Sequence, residues 1–83
     1  MLKFKKIFTD QRNDHVNSMF YRISIYAPAE VDIPHTPYLQ LEEWGAKYVD
    51  DWSSSWRAER YGSDALAIRD AISKIDSYTF PTT

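Results

Sequence analysis

A regular alternation of side chains between Met19 and Ala27 constrains this chain more than any other sequence feature. Every odd-numbered position in this segment is apolar or aromatic, and the segment is rich in Ile, Phe and Tyr. A period of two of this kind predicts a β-strand with one buried face. Pro28 follows at once and lacks the backbone donor that a strand needs, so we expect the strand to end at Ala27.

Two further segments predict strands. Leu2–Phe8 is predicted to be the first strand, joined to the second by a long polar hairpin loop over residues 9–18. Trp56–Tyr61 is predicted to be a short strand after the middle of the chain. Because side chains alternate along a strand, Trp56 and Ala58 are expected on one face. The opposite face is expected to carry Arg57, Glu59 and Tyr61.

The remaining segments predict two amphipathic helices. Thr36 is a favourable N-cap for the first helix, and Pro37 is favourable at its first position. Apolar side chains follow at helical spacing as far as Trp52. Ser63 is expected to cap the second helix, with Asp64 in the first turn, where the helix dipole favours a negative charge. The buried stripe of the second helix is predicted to comprise Ala65, Ile68, Ala71, Ile72 and Ile75.

These elements predict an α+β domain in the order β-β-α-β-α. We expect a small antiparallel sheet with both helices on one face, because each helix has one apolar stripe and each strand one apolar face. The tail from Ser77 to Thr83 is expected to form either a short final edge strand or a packed end. No linker or repeat divides the chain, so residues 1–83 are predicted to form a single domain.

The composition limits how such a domain can be stabilised. The chain has no cysteine, so neither a disulfide nor a cysteine zinc site can support the fold. Its 13 Phe, Trp and Tyr residues can fill the core instead, since each buries a large apolar area. His15 and His35 lie in predicted loops without companions at metal-ligand spacing. We therefore expect no metal site and no cofactor.

The sequence also argues against catalysis. It contains no phosphate-binding glycine loop, nucleophile elbow or catalytic triad. The carboxylate pairs Glu42–Glu43 and Asp50–Asp51 fall mainly toward the polar side of the predicted first helix, where solvent or a partner explains them better than acid–base chemistry. We expect a binding protein and not an enzyme. With no signal-peptide pattern and no apolar run near the roughly 20 residues that span a bilayer, we expect a cytoplasmic location without a membrane partner.

Charge is distributed unevenly, although the formal net charge is only −2. Residues 1–26 carry a net charge of +3 and residues 27–54 a net charge of −5. The acidic middle predicts a surface that meets a basic surface of a protein partner. Trp44 is the expected exposed anchor, whereas Trp52 and Trp56 are expected in the core. The predicted partner-binding residues are Glu42, Glu43, Trp44, Asp50 and Asp51.

A second surface is predicted on the sheet face that the helices leave open. Aromatic planes interleaved with guanidinium groups suit the stacking of single-stranded nucleic acid such as RNA. The residues concerned are Phe20, Arg22, Tyr26, Arg57 and Tyr61. The acidic chain argues against this alternative, because nucleic-acid modules usually have a basic footprint. The same aromatic side chains would also suit a homodimer interface.

Residues 38–78 resemble a type of small bacteriophage-encoded protein. In that type an acidic helix containing tryptophan precedes a short strand with tryptophan and basic residues, here Trp56-Arg57-Ala58-Glu59-Arg60-Tyr61, and then a helix that opens with Asp64-Ala65. The resemblance covers about half of the chain. It implies an inhibitor of a host enzyme or defence system that occupies a surface and works in the host cytoplasm. No functional residue is carried over from it.

Overall fold

A computed structural model describes residues 3–29, 38–46 and 52–81 of the chain. Within these ranges the chain forms four strands followed by one helix, β1 (Phe4–Asp14), β2 (Met19–Pro28), β3 (Tyr38–Ala46), β4 (Trp52–Glu59) and α1 (Asp64–Ser77). The strands form an antiparallel sheet in the order β1-β2-β3-β4. The helix packs on one face of this sheet, against β1 and β2.

The strand predicted from the alternation is confirmed as β2, which ends one residue later than expected, at Pro28. β2 lies between β1 and β3, so the backbone groups on both of its edges are paired. Its odd-numbered side chains Tyr21, Ile23 and Ile25 are buried beneath α1. Pro28 is tolerated because it pairs with Phe4 at the end of the β1 ladder and has no partner among the described residues of β3.

The first hairpin is longer than predicted. The expected loop over residues 9–18 is largely wrong, since β1 continues to Asp14 and only His15–Ser18 form the turn. The Asp14 carboxylate accepts hydrogen bonds from the amides of Val16 and Asn17, at 3.1 and 3.3 Å, and from Asn17 Nδ2 at 2.8 Å. These bonds, above all the one from the Asn17 side chain, keep the pKa of Asp14 below its ordinary value. The polar residues before Asp14 form a strand because β2 supplies their pairing partners.

The predicted first helix, from Pro37 to Trp52, is wrong, and so is the β-β-α-β-α order with two helices. Residues Tyr38–Ala46 form β3 instead, and β4 begins at Trp52, four residues before the strand predicted to start at Trp56. Leu, Gln, Glu and Ala favour a helix locally, and only Leu39–Glu42 alternates apolar and polar side chains as a strand does. As a strand it pairs the second edge of β2, so tertiary hydrogen bonding overrides local propensity.

The second predicted helix is confirmed as α1. Ser63 is its N-cap, and the Ser63 side chain accepts a hydrogen bond from the amide of Leu66 at 3.4 Å. The buried stripe consists of Ala67, Ala71 and Ile75, at intervals of four residues. The stripe was thus predicted correctly at Ala71 and Ile75. The prediction is wrong at Ala65 and Ile72, which are exposed, and Ile68 is only partly buried.

The core lies between β2 and α1, and the C-terminal tail closes one end of it. The small side chains of Ala67 and Ala71 are fully buried and let α1 approach the isoleucines of β2 closely. After α1 ends, the ring of Tyr78 stacks on Tyr21 with ring centroids 3.9 Å apart, and Phe80 meets Tyr78 edge-on at 5.0 Å. Of the two alternatives for the tail, the packed end is confirmed for the residues that the structure describes.

Arg12 ties the C-terminus of α1 to β1. Its Nη1 donates a hydrogen bond to the backbone oxygen of Asp76 at 2.8 Å, and its guanidinium lies 5.2 Å from the ring centre of Phe80. Carbonyl groups in the last turn of a helix lack partners within the helix and attract positive charge. Arg12 therefore satisfies one of these groups with a residue distant in sequence.

Ile25→Ala removes a fully buried side chain from the central strand. We expect the free energy of unfolding to fall by about 2–5 kcal/mol, because lost burial and the residual cavity both contribute. Ile72→Ala is the matched control, since Ile72 is exposed on α1 and the same change should alter stability by less than about 1 kcal/mol. Urea-induced unfolding followed by circular dichroism measures both, and equal losses would contradict the assigned core.

Candidate binding surface on the open face of the sheet

The open face is the side of the sheet that α1 does not cover. Residues paired directly across an antiparallel ladder project to the same face. Since the odd-numbered residues of β2 lie beneath α1, the even-numbered residues and their partners lie on the open face. Its side chains include Phe4, Lys6, Thr9, Gln11, Asn13, Phe20, Arg22, Ser24, Tyr26, Leu39, Leu41, Glu43, Trp52, Ser54, Trp56 and Ala58.

Aromatic side chains form the apolar part of the open face. Trp52 and Trp56 on β4 are 54% and 58% exposed. The Tyr26 ring reaches across β3 to Trp56, with centroids 5.4 Å apart and the planes tilted by 55°. Leu39 and Leu41 stand on β3 between these rings. Exposed apolar groups gathered in one place are typical of interaction sites.

Arg22 organises the polar part of the open face. Its Nε lies 3.1 Å from Glu43 Oε1 on β3, and its Nη1 donates to Gln11 Oε1 on β1 at 3.3 Å. The guanidinium also lies 5.3 Å from the ring centre of Phe20. A shallow polar cavity of about 610 Å³ surrounds this group. The floor of the cavity includes the buried Ser24, whose hydroxyl is hydrogen-bonded to Thr9 at 3.0 Å.

Three of the five residues predicted for nucleic-acid binding come together. Phe20, Arg22 and Tyr26 share the open face through the alternation of β2. Lys6, which the sequence did not indicate, joins them with its Nζ 5.8 Å from the ring centre of Tyr26. Only the register of β1, including the irregularity after Lys6, places this lysine beside Tyr26.

The other two predicted residues lie on the helix side of the sheet. Arg57 pairs with Gln40 across the ladder and forms an ion pair with Glu59 of its own strand. The Tyr61 hydroxyl donates to Asp70 of α1 at 2.7 Å. The sequence predicted Trp56 in the core and Arg57 and Tyr61 on the open face. The structure has the two faces of this strand the other way round.

Over residues 38–46 the predicted first helix is replaced by β3, so Glu42 and Glu43 do not lie together on one acidic helix face. Glu42 and Glu43 are neighbours on a strand and therefore project to opposite faces. Glu43 is paired with Arg22 on the open face, whereas Glu42 lies on the helix side and accepts a hydrogen bond from the Tyr21 hydroxyl at 3.3 Å. The remaining acidic residues of that surface, Asp50 and Asp51, lie outside the described residues.

The tryptophans are arranged in the opposite way to the prediction. Trp44, the expected anchor, is partly buried and packs against the core on the helix side. Trp52 and Trp56, expected in the core, are more than half exposed. Alternation over Trp52–Ala58 does place both on one face of a strand. Which face α1 covers is decided by the neighbouring strand and is not visible in this segment alone.

A polar network on the helix side fastens α1 to β3. Lys74 Nζ lies 3.1 Å from Asp70 Oδ2 and donates to Gln40 Oε1 at 2.9 Å. Gln40 is fully buried, and its Nε2 has no hydrogen-bond partner among the described residues. Burial raises the pKa of Asp70, but hydrogen bonds from Tyr61 and Lys74 outweigh it and leave that pKa below its ordinary value. Burial and the bond to Asp70 raise the pKa of Tyr61 above its ordinary value.

The two histidines do not mark a site in the described structure. His15 is exposed in the turn between β1 and β2, and His35 lies outside the described residues. Over residues 3–29, 38–46 and 52–81, no group of three or more Asp, Glu or His side chains converges as metal ligands would. No helix in the same part of the chain is long and apolar enough to cross a membrane.

Comparison with known proteins yields no match to this chain, whether with protein-family models, curated proteins or solved structures. The similarity to small bacteriophage proteins therefore stays a prediction. The functional argument depends on the open face itself.

Asp70→Asn removes the charge at the centre of the network between α1 and β3. We expect a loss of about 1 kcal/mol at neutral pH, since hydrogen bonds to a partly exposed charged group are lost. The pKa of Asp70 is lowered in the folded state, so its contribution is present above the ordinary value of 3.8 and disappears as the pH falls through the folded pKa. The difference between wild type and variant should therefore shrink toward low pH.

Urea unfolding at a series of pH values measures this difference. Asp76→Asn is the control, because the Asp76 side chain is exposed and makes no hydrogen bond or ion pair among the described residues. A difference for Asp70→Asn that stays constant from neutral to acid pH would show that the charge does not stabilise the fold.

Proposed function

We propose that this protein is a non-enzymatic binding module that recognises a protein partner through the open face and acts by covering part of the partner's surface. The observation that carries the proposal is the exposure of Trp52 and Trp56 beside Tyr26, on the face that α1 does not cover. Trp, Tyr and Arg are the side chains that contribute most often to the centres of protein interfaces.

The charge of the open face supports a protein partner. Its charged side chains in the described strands are Lys6, Arg22 and Glu43, and the last two form an ion pair with each other. Interface centres are typically depleted of unpaired charge and rich in aromatic groups. The open face therefore suits a partner with an apolar centre and hydrogen-bonding groups around it, whereas the acidic segment alone suggested a partner with a basic surface.

The aromatic side chains of the open face stand on hydrogen-bonded strands of one sheet. Tyr26 stands on the central strand, and Trp56 is held against it on a strand paired with β3. Aromatic side chains have few rotatable bonds, and side chains that are already ordered lose little entropy on association. This arrangement favours recognition of a surface of fixed shape.

Trp56→Ser and Tyr26→Ser should each weaken partner binding by about tenfold or more, because each removes an aromatic contact near the centre of the face. Proteins retained from the native cell lysate by the immobilised wild type are identified and purified, and their affinity is then measured by calorimetry. Leu66→Ser is the matched control, since Leu66 is an exposed apolar residue on α1. A partner that binds both aromatic variants like wild type would contradict the proposal.

Single-stranded nucleic acid is a second candidate ligand for the same face. The observation that favours it is the placement of one cation over each of two rings, Lys6 over Tyr26 and Arg22 over Phe20. Bases stack on such rings, while the cations attract phosphate. The ion pair between Arg22 and Glu43 weakens this candidate, because it neutralises one of the two cations.

A fluorescence anisotropy titration with labelled oligouridine RNA separates the two candidates. Nucleic-acid binding predicts an affinity that falls as salt rises and that Trp56→Ser reduces by about 1–3 kcal/mol. Leu66→Ser is the matched control, since it replaces an exposed apolar side chain by serine on α1, away from the open face. Absence of binding at low salt eliminates the nucleic-acid candidate and leaves the protein partner.

A further inference from the structure

The two edges of the sheet differ in how they are protected from pairing with another strand. The register of β1 is interrupted between Lys6 and Phe8, and Lys3, Lys5 and Lys6 are exposed beside this irregularity. Irregular register and lysine side chains are devices by which natural proteins prevent edge-to-edge association. β4 has neither device over Trp52–Trp56, because its register with β3 runs without interruption and its charged residues, Arg57 and Glu59, follow that segment and form an ion pair with each other.

β4 is also the least supported strand. Every residue from Trp52 to Ala58 is exposed, and no strand among the described residues pairs with the outer edge of β4. A strand that is paired on one edge and buried on neither face gains little stability from its own domain. Its unpaired amides and carbonyls form a template for a further strand.

The sequence of β4 indicates what that further strand is. Trp52-Ser53-Ser54-Ser55-Trp56 reads the same in both directions. We infer that β4 pairs antiparallel with β4 of a second copy of this chain, about a twofold axis at Ser54. Two four-stranded sheets then join into one continuous sheet of eight strands.

This register is self-complementary at every position of the palindrome. Each Trp52 stands opposite Trp56 of the other copy, so two aromatic pairs form on the open face. Each Ser53 stands opposite Ser55 of the other copy, and Ser54 meets its own equivalent. Cross-strand aromatic pairs and hydroxyl pairs both stabilise sheets, and the segment contains no charge that the twofold axis would place opposite a like charge. A peptide of unrelated sequence would match β4 only through its backbone.

The twofold contact is also closed. Each copy uses its β4 edge once, and the protected β1 edges remain at the two ends of the sheet, so a dimer forms and not a filament. The open faces of the two copies become one continuous face with the four tryptophans at its centre. This inference goes beyond the proposed function and does not depend on it, since it follows from the edge and the palindrome.

Sedimentation equilibrium over a concentration series tests the dimer with the full chain. The average mass should rise toward twice that of a single chain as concentration increases. Ser54→Lys places two like charges opposite each other at the axis and should shift this rise to concentrations at least about tenfold higher. Ser73→Lys on α1 makes the same change of charge at another exposed serine and should leave the rise unchanged. Circular dichroism checks that both variants are folded.

Disulfide trapping tests the register, because the chain has no cysteine of its own. Residues directly opposite in an antiparallel pair have Cα atoms about 4.5–5.5 Å apart, within the range that a disulfide spans. Ser54→Cys should therefore form a covalent dimer under mild oxidation. Ser53→Cys should form a covalent dimer mainly when it is mixed with Ser55→Cys. Ser73→Cys on α1 should form no covalent dimer.

A single-chain mass at every concentration, together with no trapping of Ser54→Cys above the level of Ser73→Cys, overturns the dimer. Efficient trapping of Ser53→Cys alone overturns the twofold axis at Ser54. Ser53→Lys combined with Ser55→Lys places like charges opposite each other on the helix side and leaves the open face unchanged, so loss of the dimer in this double variant with retained partner binding distinguishes this inference from the proposed function.

Discussion

The pairing and burial of β2 form the constraint on which the rest of the molecule depends. Ile23 and Ile25 are fully buried, so β2 needs α1 on one face. The backbone groups of β2 need partners on both edges as well, which brings β1 to one side and β3 to the other. With α1 packed mainly over β1 and β2 and reaching β3 through Lys74, β4 extends beyond the helix. The open face and the exposed strand β4 are consequences of this arrangement.

The position of α1 is fixed by contacts between residues far apart in the chain. Arg12 satisfies a carbonyl at the end of α1, and Tyr78 stacks on Tyr21 just after it. Lys74 reaches the buried Gln40 on β3. These contacts define which side of the sheet is covered, and they thereby determine which aromatic residues remain exposed to a partner.

The two proposed interactions use adjacent parts of one surface. The open face presents Tyr26, Trp52 and Trp56, while the outer edge of β4 presents backbone groups and a palindromic set of side chains. Large aromatic groups are stabilised when they leave water. Within the described residues these two tryptophans are more than half exposed, so either proposed association would shield them further. A dimer through β4 would enlarge the open face without changing its chemistry.

Signals carried by neighbouring residues could be read from the sequence. The alternation from Met19 predicted β2, and Ser63 with Asp64 predicted the start of α1, because periodicity and capping depend on a few adjacent side chains. The same alternation correctly grouped Phe20, Arg22 and Tyr26, the part of the candidate site that lies on one strand.

Only the tertiary structure decided the segments whose local signals are ambiguous. The composition of Tyr38–Ala46 favours a helix and its alternation is confined to Leu39–Glu42, but pairing with the second edge of β2 makes the segment a strand. Whether Trp56 or Arg57 faces α1 depends on the register of β4 with β3, since one residue of shift exchanges the two faces of a strand. The sequence by itself therefore determined the central strand and the helix start. The exposed tryptophan face was decided by strand pairing, which no local pattern encodes.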